Sequence, residues 1–163
     1  MFQSIEELKS EGFEGFKSIK DLNENIDVVP KSSGIYLVLN LSKSFPEFLE
    51  VGTGGHFKNK NPNKGHAYLH SKWVIDTHVV YIGKAGGKNN ASTLRSRLKL
   101  YLDFGVGKSV GHYGGRLIWQ LKHSPNLVVC WKIIENDPRQ FEKQLIKSFE
   151  IQFGSKPFAN INS

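Results

Sequence analysis

The chain has 163 residues, 39% hydrophobic and 12% aromatic, which suits one domain with a single sizeable core and argues against disorder. A formal net charge of +7 and a pI near 9.5 favour a polyanionic partner, nucleic acid ahead of an anionic membrane surface. The single cysteine, Cys130, excludes an intrachain disulfide, and with no signal-peptide core and no run of transmembrane length the expected setting is the cytoplasm, without a membrane partner.

Ser4-Ile5-Glu6-Glu7 reads as a capping box opening a short helix, and Ser18 to Leu22 as the start of a second. Residues 1–30 are therefore expected to be a helical extension, ended by Val29-Pro30. Ser33-Gly34 leads into a first strand, Ile35 to Leu39. Residues 40–77 form an insertion of largely loop composition, with a short helix suggested after Lys64 by Leu69, Trp73 and Val74. Val79 to Ile82 is the second strand. Thr93 to Leu102 reads as a helix with Leu94, Leu98, Tyr101 and Leu102 on one side. Five glycines fall between Gly105 and Gly115, and Arg116 to Leu121 suggests a helical turn. Leu127 to Ile134 is the third strand, with Cys130 as a small buried hydrophobe. Asp137-Pro138 opens a long helix carrying Phe141, Leu145, Phe149 and Phe153 inward, and Gly154 stops it. The predicted fold is α/β, of the α+β kind. It is one domain over 1–163 with a small, three-stranded, mainly antiparallel sheet flanked by helices.

Two mirrored tripeptides, Gly34-Ile35-Tyr36 and Tyr81-Ile82-Gly83, put a tyrosine beside a glycine on each of the first two strands. Phenols on neighbouring strands can share a site and move protons. Arg97 and Tyr101, four apart on one predicted helix, share a face, and a guanidinium there can grip a phosphate in two-pronged fashion. Glu142 lies beside the apolar face of the last helix, where a carboxylate is costly unless paired or bound to a metal. Asn160 follows Pro157-Phe158-Ala159 and can both donate and accept.

In this order, Gly-Ile-Tyr strand, Tyr-Ile-Gly strand, Leu-x-x-Arg helix, Glu helix, then Pro-x-x-Asn, the chain resembles the GIY-YIG endonucleases from about Gly34 to Asn160. Tyr81 to Ala85, followed by Leu94 to Tyr101, is similar to the nuclease domain of the bacterial excision-repair incision enzyme. The resemblance implies a nuclease-like fold and a metal-dependent phosphodiester hydrolase acting on nucleic acid, double-stranded DNA first. It implies Tyr36 as the base toward water, Tyr81 as its hydrogen-bonding companion, and Lys84 as a cation that lowers a phenol pKa or touches phosphate. Arg97 would stabilise charge on the scissile phosphate, and Tyr101 takes a place other members fill with histidine. Glu142 would hold one Mg²⁺ or Mn²⁺, and Asn160 would orient the site. The stretch between the tripeptides is longer than the family's short hairpin, and the loop from Gly86 to Ser92 is expanded.

Candidate nucleic-acid contacts are Arg95, His112 and Arg116, with proton transfer as a second role for His112. Gly107-Lys108-Ser109 is not a phosphate-binding loop, because the earlier glycine it needs is Leu102. His66 and His70 have helical ligand spacing, with His56 and His78 nearby, so a zinc-stabilised interaction protein is one alternative. A non-catalytic nucleic-acid-binding module on the same fold is the other.

Overall fold

The computed structural model describes residues 2–112 and 114–161. Its centre is a wholly antiparallel sheet built from β1 (Glu14–Ser18), β2 (Gly34–Leu39), β3 (Val79–Ala85) and β4 (Val128–Ile133), in the order β1-β4-β2-β3. The helices are α1 (Ile5–Ser10), α2 (Ile19–Glu24), α3 (His66–Lys72), α4 (Leu94–Gly105) and α5 (Pro138–Phe153).

The sheet has four strands rather than the expected three, and the N-terminal extension is not purely helical. The unforeseen strand is β1, whose five residues show no clean alternation of burial. Gly15 and Phe16 both have positive φ, and the register against β4 shifts between Glu14 and Lys17. A bulge of this kind breaks the period-two pattern by which a strand is recognised.

β2 is buried along its whole length, so its apolar run covers both faces of the sheet. Tyr36 and Val38 point to one face, with Tyr81, Val129 and Trp131. That face is covered by α2, α4, the 3-10 turn Arg116–Gln120, and Leu69 of α3 from the insertion. Ile35, Leu37 and Leu39 point to the other face, with Ile82 and Cys130, under α1 and α5. Cys130 is fully buried.

Local signals explain the two helices that frame the candidate site. Thr93 and Ser96 form a reciprocal capping box at the start of α4. In α5 the Asp137 side chain accepts the Arg139 N–H at 3.0 Å, Pro138 occupies the first turn, and Gly154 closes the helix in the left-handed conformation. No helix among the described residues is long and apolar enough to cross a membrane.

Candidate active site

The register of β2 against β3 accounts for the mirrored tripeptides. Tyr36 lies opposite Gly83, and Tyr81 lies opposite Val38, so both phenols stand on the same face, diagonal to one another. A Cβ at Gly83 would fall within the Tyr36 ring, so the glycine is the space that this ring occupies. The ring centroids of Tyr36 and Tyr81 are 6.0 Å apart, and Tyr101 from α4 completes a triangle at 6.2 and 5.5 Å. Between Val38 and Leu39 the β3 partner skips Val80, a bulge beside Tyr81 that locally turns the edge strand.

A histidine joins the three phenols. His112 is fully buried, stacks on Tyr101 with centroids 4.5 Å apart, and brings Nε2 to 3.4 Å from the Tyr36 hydroxyl. Its Nδ1 has no hydrogen-bond partner among the described residues. Burial, and then the Arg97 cation, push the imidazole down to about 3, so it is neutral through the physiological range. This placement differs from the expected surface contact: His112 cannot meet nucleic acid from the outside while it is packed against Tyr36 and Tyr101. Its neighbour in the sequence motif, Tyr113, lies outside the described residues.

Arg97, from α4, and Glu142, from α5, act on the phenols from opposite sides of the sheet. Burial is the main cause that raises Tyr36 well above the ordinary phenol value, with Tyr81 adding to it, Arg97 opposing it and Glu142 adding again. Tyr81 is pushed up to about 12 by burial first and the Glu142 charge second, against Arg97. Glu142 itself is half-buried on the stripe that continues through Leu145, Ile146 and Phe149. Desolvation raises its pKa, while Lys84 and Arg97 pull it back down. Two cations, one carboxylate and two phenols from four elements thus share one electrostatic site.

Glu142 is the carboxylate of this cluster and the residue that could hold a hard divalent ion, which would keep waters and take further oxygens from elsewhere. Among the described residues no three His, Cys, Asp or Glu side chains converge as a ready-made cage. The histidine alternative lacks such a set: His66 and His70 pack their rings on Phe48, and His78 Nδ1 is 3.1 Å from the Asn40 carbonyl.

Two predicted residues, Tyr101 and Asn160, serve the site indirectly. Tyr101 is buried and donates its O–H to the Gly115 carbonyl at 2.6 Å, so it fixes the end of the glycine-rich segment. Gly115 has φ +72°, and a Cβ there would crowd the Tyr101 hydroxyl and the Tyr81 ring. Asn160 accepts the Ile82 N–H at 2.9 Å and donates to the Ile82 carbonyl at 2.8 Å, and Ala159 donates to the Val80 carbonyl. The chain after α5 therefore pairs the outer edge of β3 on both sides of Tyr81. Arg95 stands apart from this cluster. Its guanidinium donates to the carbonyls of Val29 and Asp27 and pairs with the Asp27 carboxylate at 3.6 Å, tying α4 to the segment before β2. Arg116 follows Gly115 and is half-buried at the start of its 3-10 turn.

Comparison of the chain with protein-family models, with curated proteins and with solved structures gives no significant match.

Proposed function

We propose that this protein is a metal-dependent endonuclease of GIY-YIG type that hydrolyses phosphodiester bonds in nucleic acid, DNA first. One observation carries the reading: Tyr36, Tyr81, Arg97 and Glu142, spread over more than a hundred residues of sequence, act on one another in one site. The order of motifs along the chain and the +7 charge support it.

Arg97 grips the non-bridging oxygens of the scissile phosphate and offsets the charge that builds as water attacks phosphorus. Both phenols keep their protons at neutral pH, because burial raises them. Tyr36 therefore works as a protonated phenol that orients the attacking water rather than as a phenolate, with its own O–H directed at His112 Nε2. The water's proton passes to the leaving oxygen as the P–O bond breaks. Lys84 neighbours Glu142, and its charge opposes the burial that raises the carboxyl pKa. When bound at Glu142, Mg²⁺ or Mn²⁺ supplies Lewis acidity toward the phosphate oxygens.

A second reading, a non-catalytic nucleic-acid-binding module, is favoured by the near-complete burial of Tyr36 under His112. Supercoiled plasmid and end-labelled oligonucleotides incubated with Mg²⁺ or Mn²⁺ separate the two. Nicking that disappears in Glu142→Ala and Tyr36→Phe supports the enzyme. Salt-dependent binding without any cleavage supports the module, and equal nicking by Glu142→Ala overturns the assigned site.

A further inference from the structure

The insertion between β2 and β3 contributes a surface that the proposed chemistry does not use. With Leu69 buried beneath it, α3 carries two flanks at helical spacing. His66 and His70 lie on one and pack against Phe48. Lys64, just before the helix, with Tyr68 and Lys72 at successive intervals of four, form the other. Both ammonium groups converge on one ring: Lys64 Nζ is 5.3 Å and Lys72 Nζ 5.5 Å from the centroid of Tyr68. Both lysines are exposed, and neither forms an ion pair with a described residue.

This flank borders a cleft that reaches Asn160. A cleft of about 360 Å³ separates the end of α3 from the chain after α5, lined by Ser71, Lys72, Glu150, Lys156 and Asn160 among others. Asn160 is the residue whose amide holds Ile82, next to Tyr81. Lys72 and Lys156 thus share a cleft with Asn160, which bonds the backbone of the residue after Tyr81.

We propose that Lys64, Tyr68 and Lys72 form a track for the sugar-phosphate backbone of the nucleic acid on one side of the cleaved bond, with Tyr68 holding both ammonium groups in place. The proposal rests on the phosphodiesterase reading for its choice of a nucleic acid over an anionic lipid surface. A track of this kind makes sequence-independent contacts, so it sets affinity and its salt dependence without touching the reacting atoms.

The test compares the full-length chain with Lys64→Ala/Lys72→Ala and with Tyr68→Leu, each checked for an unchanged thermal melt. Binding to fluorescent duplex and single-stranded oligonucleotides is measured by anisotropy in EDTA over a KCl series, and cleavage in Mg²⁺. The lysine variant is expected to lower the slope of log K against log [salt] by about 1.8 on duplex or about 1.4 on single strands. It raises KM for cleavage and leaves kcat unchanged, and Tyr68→Leu gives the same change in smaller measure. An unaltered slope in a variant that still binds and cleaves overturns the track and leaves the nuclease reading standing. A reduced slope in a protein that never cleaves supports the track and removes the nuclease. Failure of the wild type to bind any nucleic acid, with or without lysine-dependent binding to phosphatidylserine vesicles, overturns both.

Discussion

Acid should unfold this protein more steeply than its carboxylates alone require, because His112 resists protonation in the native state. The folded imidazole is pushed down to about 3, against an ordinary 6.5 in the unfolded chain. Below pH 6.5 the unfolded chain takes up a proton that the native state refuses, so stability falls as pH falls, from about 6.5 toward 3. At 1.36 kcal/mol per unit, the His112 contribution to this loss is about 2.7 kcal/mol at pH 4.5 and approaches about 4–5 kcal/mol near pH 3. A typical domain has only about 5–15 kcal/mol in total. Glu142 acts with the opposite sign: its folded pKa is raised, so lowering the pH relieves the cost of its buried charge. Urea unfolding of the wild type and of His112→Asn, followed by fluorescence of the buried Trp119 and Trp131, isolates the histidine, since Glu142 and the other carboxylates are common to both. The stability difference between the two proteins should move by about 2–3 kcal/mol between pH 7 and pH 4.5, with the wild type losing more. Parallel losses would refute the assignment of His112 as a neutral, buried partner of Tyr36.

Gly83→Ala sets a methyl group against the Tyr36 ring, and should cost about 1–3 kcal/mol in a denaturant melt while abolishing cleavage through displacement of that phenol. Asn160→Ala removes two hydrogen bonds to Ile82 and should destabilise by about 1–3 kcal/mol, with faster hydrogen exchange along the outer edge of β3. Arg95→Ala loosens the tie to Asp27 and Val29, lowering stability by about 1–3 kcal/mol; the salt slope of nucleic-acid binding should not change. Glu142→Gln should abolish Mg²⁺-dependent nicking yet raise the melting temperature, because burial disfavours the charge it removes. A lower melting temperature for Glu142→Gln would mean that Lys84 and Arg97 more than compensate that burial.

The parts of the fold that were legible in the sequence are those where local and long-range demands coincide. β2 is apolar because both faces are covered, and α5 has its aspartate, proline and glycine at the positions a helix end requires. α4 begins and turns inward as its leucines predict. β1 was hidden because two positive-φ residues interrupt its alternation, and pairing with β4 rather than intrinsic pattern makes it a strand. That Arg95 is occupied by carbonyls of the segment before β2 is something spacing alone does not contain. The burial of His112 is not legible in the sequence, which offers it only as a nucleic-acid contact or a proton-transfer group. A histidine among glycines carries no periodicity, and only the folding of the glycine-rich segment over Tyr101 brings it to Tyr36. The available signal is the glycines themselves, since at Gly115 the backbone passes close to both Tyr101 and Tyr81.

The two glycines of the mirrored tripeptides do unlike things, and the difference bears on mechanism. Gly83 makes room for a ring, whereas a Cβ at Gly34 would strike the Lys132 carbonyl of β4, so Gly34 serves the sheet and Gly83 serves the site. The room at Gly83 lets Tyr36 lie flat within the core, and that same burial raises its pKa. A phenol so placed is a poor base, and in the proposed hydrolysis it orients water by hydrogen bonding. His112 Nε2, neutral and 3.4 Å away, is placed to accept the Tyr36 O–H and so fix where the phenol oxygen points. His112→Phe, which preserves the stack on Tyr101 and removes that acceptor, should then lower kcat with little effect on KM; an unchanged kcat would refute this positioning role.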